Sequence, residues 1–367
     1  MRVLILADEF FASRERGLLT RLEIGLADEG VRVIHALPEG TPTDFSESVF
    51  SRVLTYSSKT LMLTRPLAVR KLVRAVAEMD STSDATGVDV IHVFGGSVWG
   101  LGTDLASEIG AGLALEVWRA GLVERARAVR MEDDAPLLIA PDQAIERALV
   151  DVPPGAEHPS VRLATWGVHT PTHAREILDP NRAPSIMLVG SGRDEGAFRT
   201  AIEGIAVIAR ERPNLLIFCD AVAARRADVW ALARKLGILQ NLSLIEELES
   251  RRDLLLYGDL LVQPEAHGEQ RSILLEAMAH GMIVVAGADP MVSILQDGLT
   301  ARLVTRPVAS EWAAVIRDVT TNTDRAKALS RTAREHVKTT RRASDHVRAV
   351  LSAYDWLASD EPLPFSP

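Results

Sequence analysis

The sequence predicts an α/β protein of two domains, each built on a parallel sheet with helices on both faces. Three observations predict it. A chain of 367 residues is long enough for two domains of ordinary size. Short, continuous apolar runs alternate with amphipathic stretches of helical spacing, the pattern of parallel strands buried on both sides. The alternation also comes in two series, separated near residues 165–184, where Pro171, Pro180 and Pro184 interrupt any regular element.

In the first series VLILA (3–7) reads as a buried strand. Leu18, Leu19, Leu22 and Leu26 then recur at helical spacing, and Gly30 closes that helix. VRVIHAL (31–37), VDVIHVF (88–94), LALEV (113–117) and LLIA (137–140) are the next strands. The second series opens with SIMLVG (185–190) and a helix carrying Ile202, Ile205, Ala206 and Ala209. It continues through LLIFC (215–219), LSLI (242–245), DLLVQ (259–263) and MIVVA (282–286). Ala343, Val347, Val350, Leu351 and Tyr354 mark a last helix, and the proline-rich tail EPLPFSP is expected to be poorly ordered. The chain thus divides into an N-terminal domain (1–165), a C-terminal domain (166–345) and a closing helix and tail (346–367), expected to pack back on the first domain. In open α/β sheets ligands bind beyond the C-terminal strand ends. Two Rossmann-like domains with sheets facing across a cleft would place the site there, with the loop 264–272 lining it.

Composition narrows the function classes. Hydrophobic residues make up 47% and charged residues 25%, values of an ordinary globular protein. Net charge is −9, which argues against a nucleic-acid partner. The one cysteine, Cys219, lies in an apolar run and reads as an inert core thiol. With no internal disulfide to form, a reducing compartment fits. No stretch approaches the length of a transmembrane helix, and MRVLILADEF turns acidic too soon for a signal peptide. The cytoplasm is the expected location.

HGEQRSILLEAMAHG (267–281) is the most informative segment. A polar glycine-containing loop runs into an apolar helix carrying one glutamate. A carboxylate accepts two hydrogen bonds from a vicinal diol, and near a helix start it is stabilised by the helix dipole. Glu276 therefore suits a vicinal diol, the alternative being a glutamate on a solvated face. The amides near Gln270, Arg271 and Ser272 suit a phosphate, or Ser272 is a plain N-cap.

LLEAMAHGMIVVAGADPMVSILQDGLTARLV (274–304) resembles the donor segment of glycosyltransferase family 4, the retaining GT-B enzymes. Weaker similarity runs through DVIHVFG (89–95), RLATWGVHT (162–170) and DLLVQPEAHGE (259–269). The resemblance implies a GT-B-like fold: an acceptor domain followed by a donor domain. It implies sugar transfer from a nucleotide-sugar donor to a glycan or lipid acceptor with retention of configuration. Glu276 falls on the family's ribose-binding glutamate. The partner glutamate eight residues earlier is replaced by Gly268, and Glu269, flanked also by Glu265, is the candidate to meet the sugar hydroxyls. In VGSGRDEGAF (189–198), Ser191 and Glu195 stand where the family has its phosphate-binding Arg and Lys. Arg193 and Arg271 are the candidate replacements, since guanidinium geometry suits phosphate. The candidate catalytic residues are therefore Glu269 and Arg193, and the candidate donor-binding residues are Glu276, Arg271, Ser272, Gly190 and Ser191. No cofactor is expected, the nucleotide sugar being a substrate.

The first loop, ADEFFASRERG (7–17), lacks the family's paired glycines, leaving Ser13 and Arg14 as possible ligand contacts. Trp118 and Arg119 stand where the family has a histidine. These departures support a second reading, a catalytically degenerate GT-B protein that binds a nucleotide or a partner. A sugar-phosphate epimerase of the same build is a third. Residues 64–78 carry Arg65, Arg70, Lys71 and Arg74 beside Leu72, Val73 and Val76. They form either a solvated helix face or a peripheral contact with the inner membrane face. Glu265, His267 and Glu269 alternate, and His169 and His173 flank Pro171, but no metal site is expected.

Overall fold

The structure is a computed structural model that describes residues 1–41, 51–58, 61–80, 87–131, 135–153, 155, 158–249 and 251–359. The proline-rich tail lies outside them. The chain forms two compact units. One comprises Met1–Trp166 together with the segment from Ala343 onward, and the other Gly167–Arg342.

The first unit contains β1 (Arg2–Ala7), α1 (Glu9–Arg14), α2 (Arg16–Asp28), β2 (Arg32–Pro38), β3 (Ser51–Tyr56), α3 (Leu61–Asp80), β4 (Val90–Phe94) and α4 (Trp99–Ile109). It continues with β5 (Gly112–Glu116), α5 (Val123–Ala128), β6 (Leu137–Ala140), α6 (Gln143–Val150) and β7 (Val161–Leu163). The strands make one sheet in the order β3-β2-β1-β4-β5-β6-β7, every pair parallel. The apolar runs explain the centre: β1 is buried from end to end, as its continuous hydrophobicity demands. Two strands escape the sequence pattern. Ser51–Tyr56 is an edge strand buried at its two ends and more open between them, and Val161–Leu163 is three half-buried residues on the other edge.

The second unit contains β8 (Ser185–Leu188), α7 (Glu195–Glu211), β9 (Leu216–Asp220), α8 (Ala221–Arg226), α9 (Val229–Leu236), β10 (Leu242–Ile245) and β11 (Leu260–Gln263). Then come α10 (Ser272–Ala279), β12 (Ile283–Gly287), β13 (Ala301–Val304), α11 (Ala309–Thr321) and α12 (Thr323–Thr340). The parallel sheet runs β10-β9-β8-β11-β12-β13. Its core joins Ile186, Leu188, Ile217, Val262 and Val285 to Phe198, Ile202 and Ile205 of α7 and Trp312 and Ile316 of α11. α7 and α11 cross closely because Gly204 has no side chain; a Cβ there would lie 2.4 Å from that of Trp312. Cys219 is free and buried, and burial pushes its thiol well above the usual range.

The last helix, α13 (Ala343–Ala358), packs on α2 and β5 within the first unit. Gly25 makes room for Val347, and Gly112 for Leu357. A buried polar network fixes the register. His92 Nδ1 is 2.8 Å from the Tyr354 hydroxyl, and His92 Nε2 is 3.2 Å from Glu116. Trp166 Nε1 donates to the other Glu116 oxygen at 2.6 Å.

On α3 the apolar side faces the protein: Val69, Leu72 and Val76 are buried. Leu63 and Leu67 are 87% and 64% exposed among the basic residues. Arg65 pairs with Asp104, Lys71 with Glu39 and Arg74 with Glu78. Among the described residues no helix is long and apolar enough to cross a membrane.

Candidate functional site

Each sheet reverses its strand order once, between β1 and β4 and between β8 and β11. Doubly wound sheets bind ligands beyond the strand ends at that reversal. In the second unit the reversal gathers the turn after β8 and the loop after β11, which carry most of the candidate residues.

The turn spans Val189–Asp194. Gly190 and Gly192 have φ of 139° and 71°, conformations that favour glycine. A Cβ at Gly192 would also lie 2.5 Å from the Ala223 carbonyl oxygen. Asp194 closes the turn by accepting from the Ala197 amide at 2.9 Å, so α7 begins at Glu195. The turn's donors are already engaged. Glu265, two residues beyond β11, accepts from the Ser191 amide (2.5 Å), the Ser191 hydroxyl (2.8 Å) and the Asp194 amide (3.0 Å). The Gly190 amide donates to Glu249 at 2.8 Å.

Two buried ion pairs stand beside this turn. Arg271 pairs with Glu249, their side chains 2% and 1% exposed. Arg252 lies 3.4 Å from Glu276 and donates to the Ser272 hydroxyl at 3.2 Å. Glu276 is itself buried, so it does not sit on a solvated helix face. Every residue of α10 is buried. Arg271 occupies the N-cap position without a side-chain cap, so Ser272 is the first helical residue and not the N-cap.

The remaining candidates are more open. Arg193 is exposed and Glu269 half-buried. Glu195 points away from a ligand role by pairing with Arg199 at 2.7 Å along α7. Gly268 has φ 66° and donates its amide to Asp289 at 2.6 Å. Among the described residues no group of three or more His, Cys, Asp or Glu is arranged to hold a metal ion.

In the first unit, residues 9–14 are the helix α1 and not a loop. Ser13 spends its hydroxyl on the Glu9 carbonyl at 2.6 Å. Trp118 is buried and stacks on Phe10 with ring centroids 4.4 Å apart, while the Arg119 guanidinium lies 5.2 Å from its ring. The strand-order reversal is marked by Asp8, which sequence reasoning passed over. It accepts from the amides of Phe10 (3.1 Å) and Phe11 (3.2 Å) and from the Ser97 hydroxyl (2.9 Å). Its signal was there: an aspartate directly after the first strand and before EFFASR is an N-cap pattern. Glu249 and Arg252 gave none, being charged residues in an irregular stretch.

Burial pushes the Asp8 carboxyl above its ordinary value, and its hydrogen bonds only partly offset this. The folded state therefore holds its proton more tightly than the unfolded state. Its contribution to stability is full below the unfolded pKa and is lost as pH rises through the folded one. Asp8→Asn imitates the protonated form. Melting temperatures of both proteins from pH 4 to 8 should show the variant gaining relative to wild type as pH rises, and a constant difference would refute this.

No family model matches the chain, and no curated protein sequence matches it. Solved structures do. Sucrose-phosphate synthase from Thermosynechococcus elongatus is 16% identical with a TM-score of 0.71, covering 97% of this chain and 99% of that one. Anabaena HepE in complex with UDP and glucose is 14% identical, TM-score 0.70, covering 97% and 100%. A glycosyltransferase from Rickettsia africae is 13% identical, TM-score 0.68, covering 98% and 99%. The fold is GT-B-like. Two sheets of parallel strands, each in a Rossmann-like unit, agree with the sequence expectation.

Proposed function

We propose that the chain is a cytoplasmic glycosyltransferase that moves a sugar from a nucleotide-sugar donor to a glycan or lipid acceptor with retention of configuration. The bond between the anomeric carbon and the diphosphate oxygen breaks. A bond to an acceptor hydroxyl forms on the same face, and the leaving diphosphate carries the charge the site must accommodate. In this reading Glu276 binds the ribose hydroxyls and Glu269 the donor sugar. Arg193 and Arg271 face the diphosphate, with Gly190, Ser191 and Ser272 lining the phosphate path. Leu63 and Leu67 among the arginines of α3 suit a brief encounter with the inner membrane face, where a lipid acceptor would reside.

The observation that carries the reading is Glu276. Its carboxylate is buried on an otherwise apolar helix with Arg252 at 3.4 Å, and a carboxylate accepts two hydrogen bonds from a vicinal diol, so it suits a hydroxyl-bearing partner. Its place in a fold shared with a UDP-bound structure gives that partner a chemistry. The test is calorimetric titration with UDP, GDP, ADP and the UDP- and GDP-sugars. One diphosphate should bind saturably to wild type and at least tenfold more weakly to Glu276→Ala.

A second reading has its own observation. The Arg271 charge is cancelled by Glu249, and the turn's donors are given to carboxylates. That supports a catalytically degenerate protein that keeps the fold and binds a nucleotide or a partner without transferring sugar. Absence of binding by every nucleotide at millimolar concentration would select its partner-binding form.

A further inference from the structure

Three carboxylates in the segments on either side of β11 are buried, Glu249, Glu265 and Glu276, and the first and second of them reach the turn after β8. Two of them have a cation, Arg271 for Glu249 and Arg252 for Glu276. Among the described residues Glu265 has none. Its partners are two backbone amides and one hydroxyl of the turn 190–194. That donor set, N–H, N–H and O–H converging from a glycine turn at a helix start, is equally suited to a phosphate oxygen.

We propose that Glu265 is an affinity-setting residue of the donor site: its carboxylate occupies the turn 190–194 as a resident anion that a donor phosphate must displace. The inference rests on the nucleotide-sugar reading of this site. Three features carry it. The turn is shaped around the carboxylate, since a Cβ at Gly190 would lie 2.6 Å from the Glu265 oxygen. The anion is held by neutral donors, so its displacement breaks no ion pair. Arg193, exposed and without an ion pair among the described residues, adjoins the same amides and is available to an incoming phosphate. Neighbouring Gln263 is also buried, and its carboxamide oxygen has no hydrogen-bond partner among the described residues. One buried acceptor of this corner is therefore not used by the protein itself.

Such competition weakens binding of donor and diphosphate product alike, and it lets the product leave readily. A purely structural clamp makes the opposite prediction, because removing it would loosen the turn and weaken any ligand.

The test uses the full chain and three proteins: wild type, Glu265→Gln and Glu265→Ser. Glutamine keeps an oxygen for the amides and guards against loss of the fold, which circular dichroism checks. The probes are UDP and inorganic pyrophosphate, titrated by calorimetry. Both variants should melt at lower temperature yet bind UDP at least tenfold more tightly than wild type. The gain should disappear when Glu276→Ala is added. Folded variants that bind neither UDP nor pyrophosphate better than wild type overturn the proposal while leaving the transferase reading standing. A gain for pyrophosphate with no nucleotide or nucleotide-sugar binding upholds the resident-anion role and removes the transferase reading. No binding of either probe to any of the three proteins overturns the proposal.

Discussion

Asp259→Ala is expected to destabilise the second unit by about 2–5 kcal/mol, chiefly the cost of leaving two backbone amides without their acceptor. Asp259 begins the approach to β11 and is fully buried. It accepts from the Leu178 amide (2.9 Å), the Ser185 amide (2.9 Å) and the Ser185 hydroxyl (3.1 Å). Arg175 and Arg182 reach it at 3.0 and 3.2 Å. The guanidiniums are a quarter to a third exposed and recover water when the carboxylate goes, so their share is small. The two amides have no such recourse, and a buried unsatisfied donor costs about 1–3 kcal/mol. The loss should appear in urea unfolding followed by circular dichroism. A change below 1 kcal/mol would show that water enters and satisfies the amides.

Arg271→Ala and Arg193→Ala should separate stability from ligand binding. Removing Arg271 leaves the Glu249 carboxylate, which also accepts from the Gly190 amide, buried without that cation. About 3–5 kcal/mol of stability should go with it. Arg193 is exposed and bears no ion pair among the described residues, so its loss should change stability by less than about 0.5 kcal/mol. Under the transferase reading Arg193→Ala should nonetheless weaken binding of the nucleotide-sugar by about tenfold, since a charge-assisted hydrogen bond to phosphate is worth about 1.5–3 kcal/mol. Melting curves and calorimetry on the same two proteins read both effects. Undiminished binding by Arg193→Ala would strike that residue from the phosphate site.

How much of this was legible in the sequence depends on how local each determinant is. The central strands were legible because a strand buried on both faces must be apolar throughout, as VLILA and MIVVA are. Ser51–Tyr56 and Val161–Leu163 were not, since edge strands face water and their composition resembles a loop. The helix α10 and Glu276 stood out through an intact local pattern, and burial now sets Glu276 apart from an ordinary surface glutamate. The environment of Arg271 was illegible. Its partner Glu249 is 22 residues away in an irregular stretch, and nothing in either segment announces the pair. The periodicity of α13 was plain, but its seat depends on Gly25 and Gly112, whose missing side chains carry no pattern of their own.

The discontinuous first unit bears on the order in which a ribosome delivers this chain. Synthesis supplies residues at roughly 5–20 per second, and domains tend to fold as they emerge. The second unit is complete once Arg342 is out, its two ends meeting where the Val168 amide donates to the Arg341 carbonyl at 2.8 Å. The first unit, begun at Met1, still lacks α13 at that moment. Until Tyr354 arrives, His92 lacks its hydroxyl partner and the seat formed by Gly25 and Gly112 is vacant. Of these two units the one translated first is thus the one that matures last, and premature termination within 343–358 would release a nascent chain with one finished unit and one unsealed core.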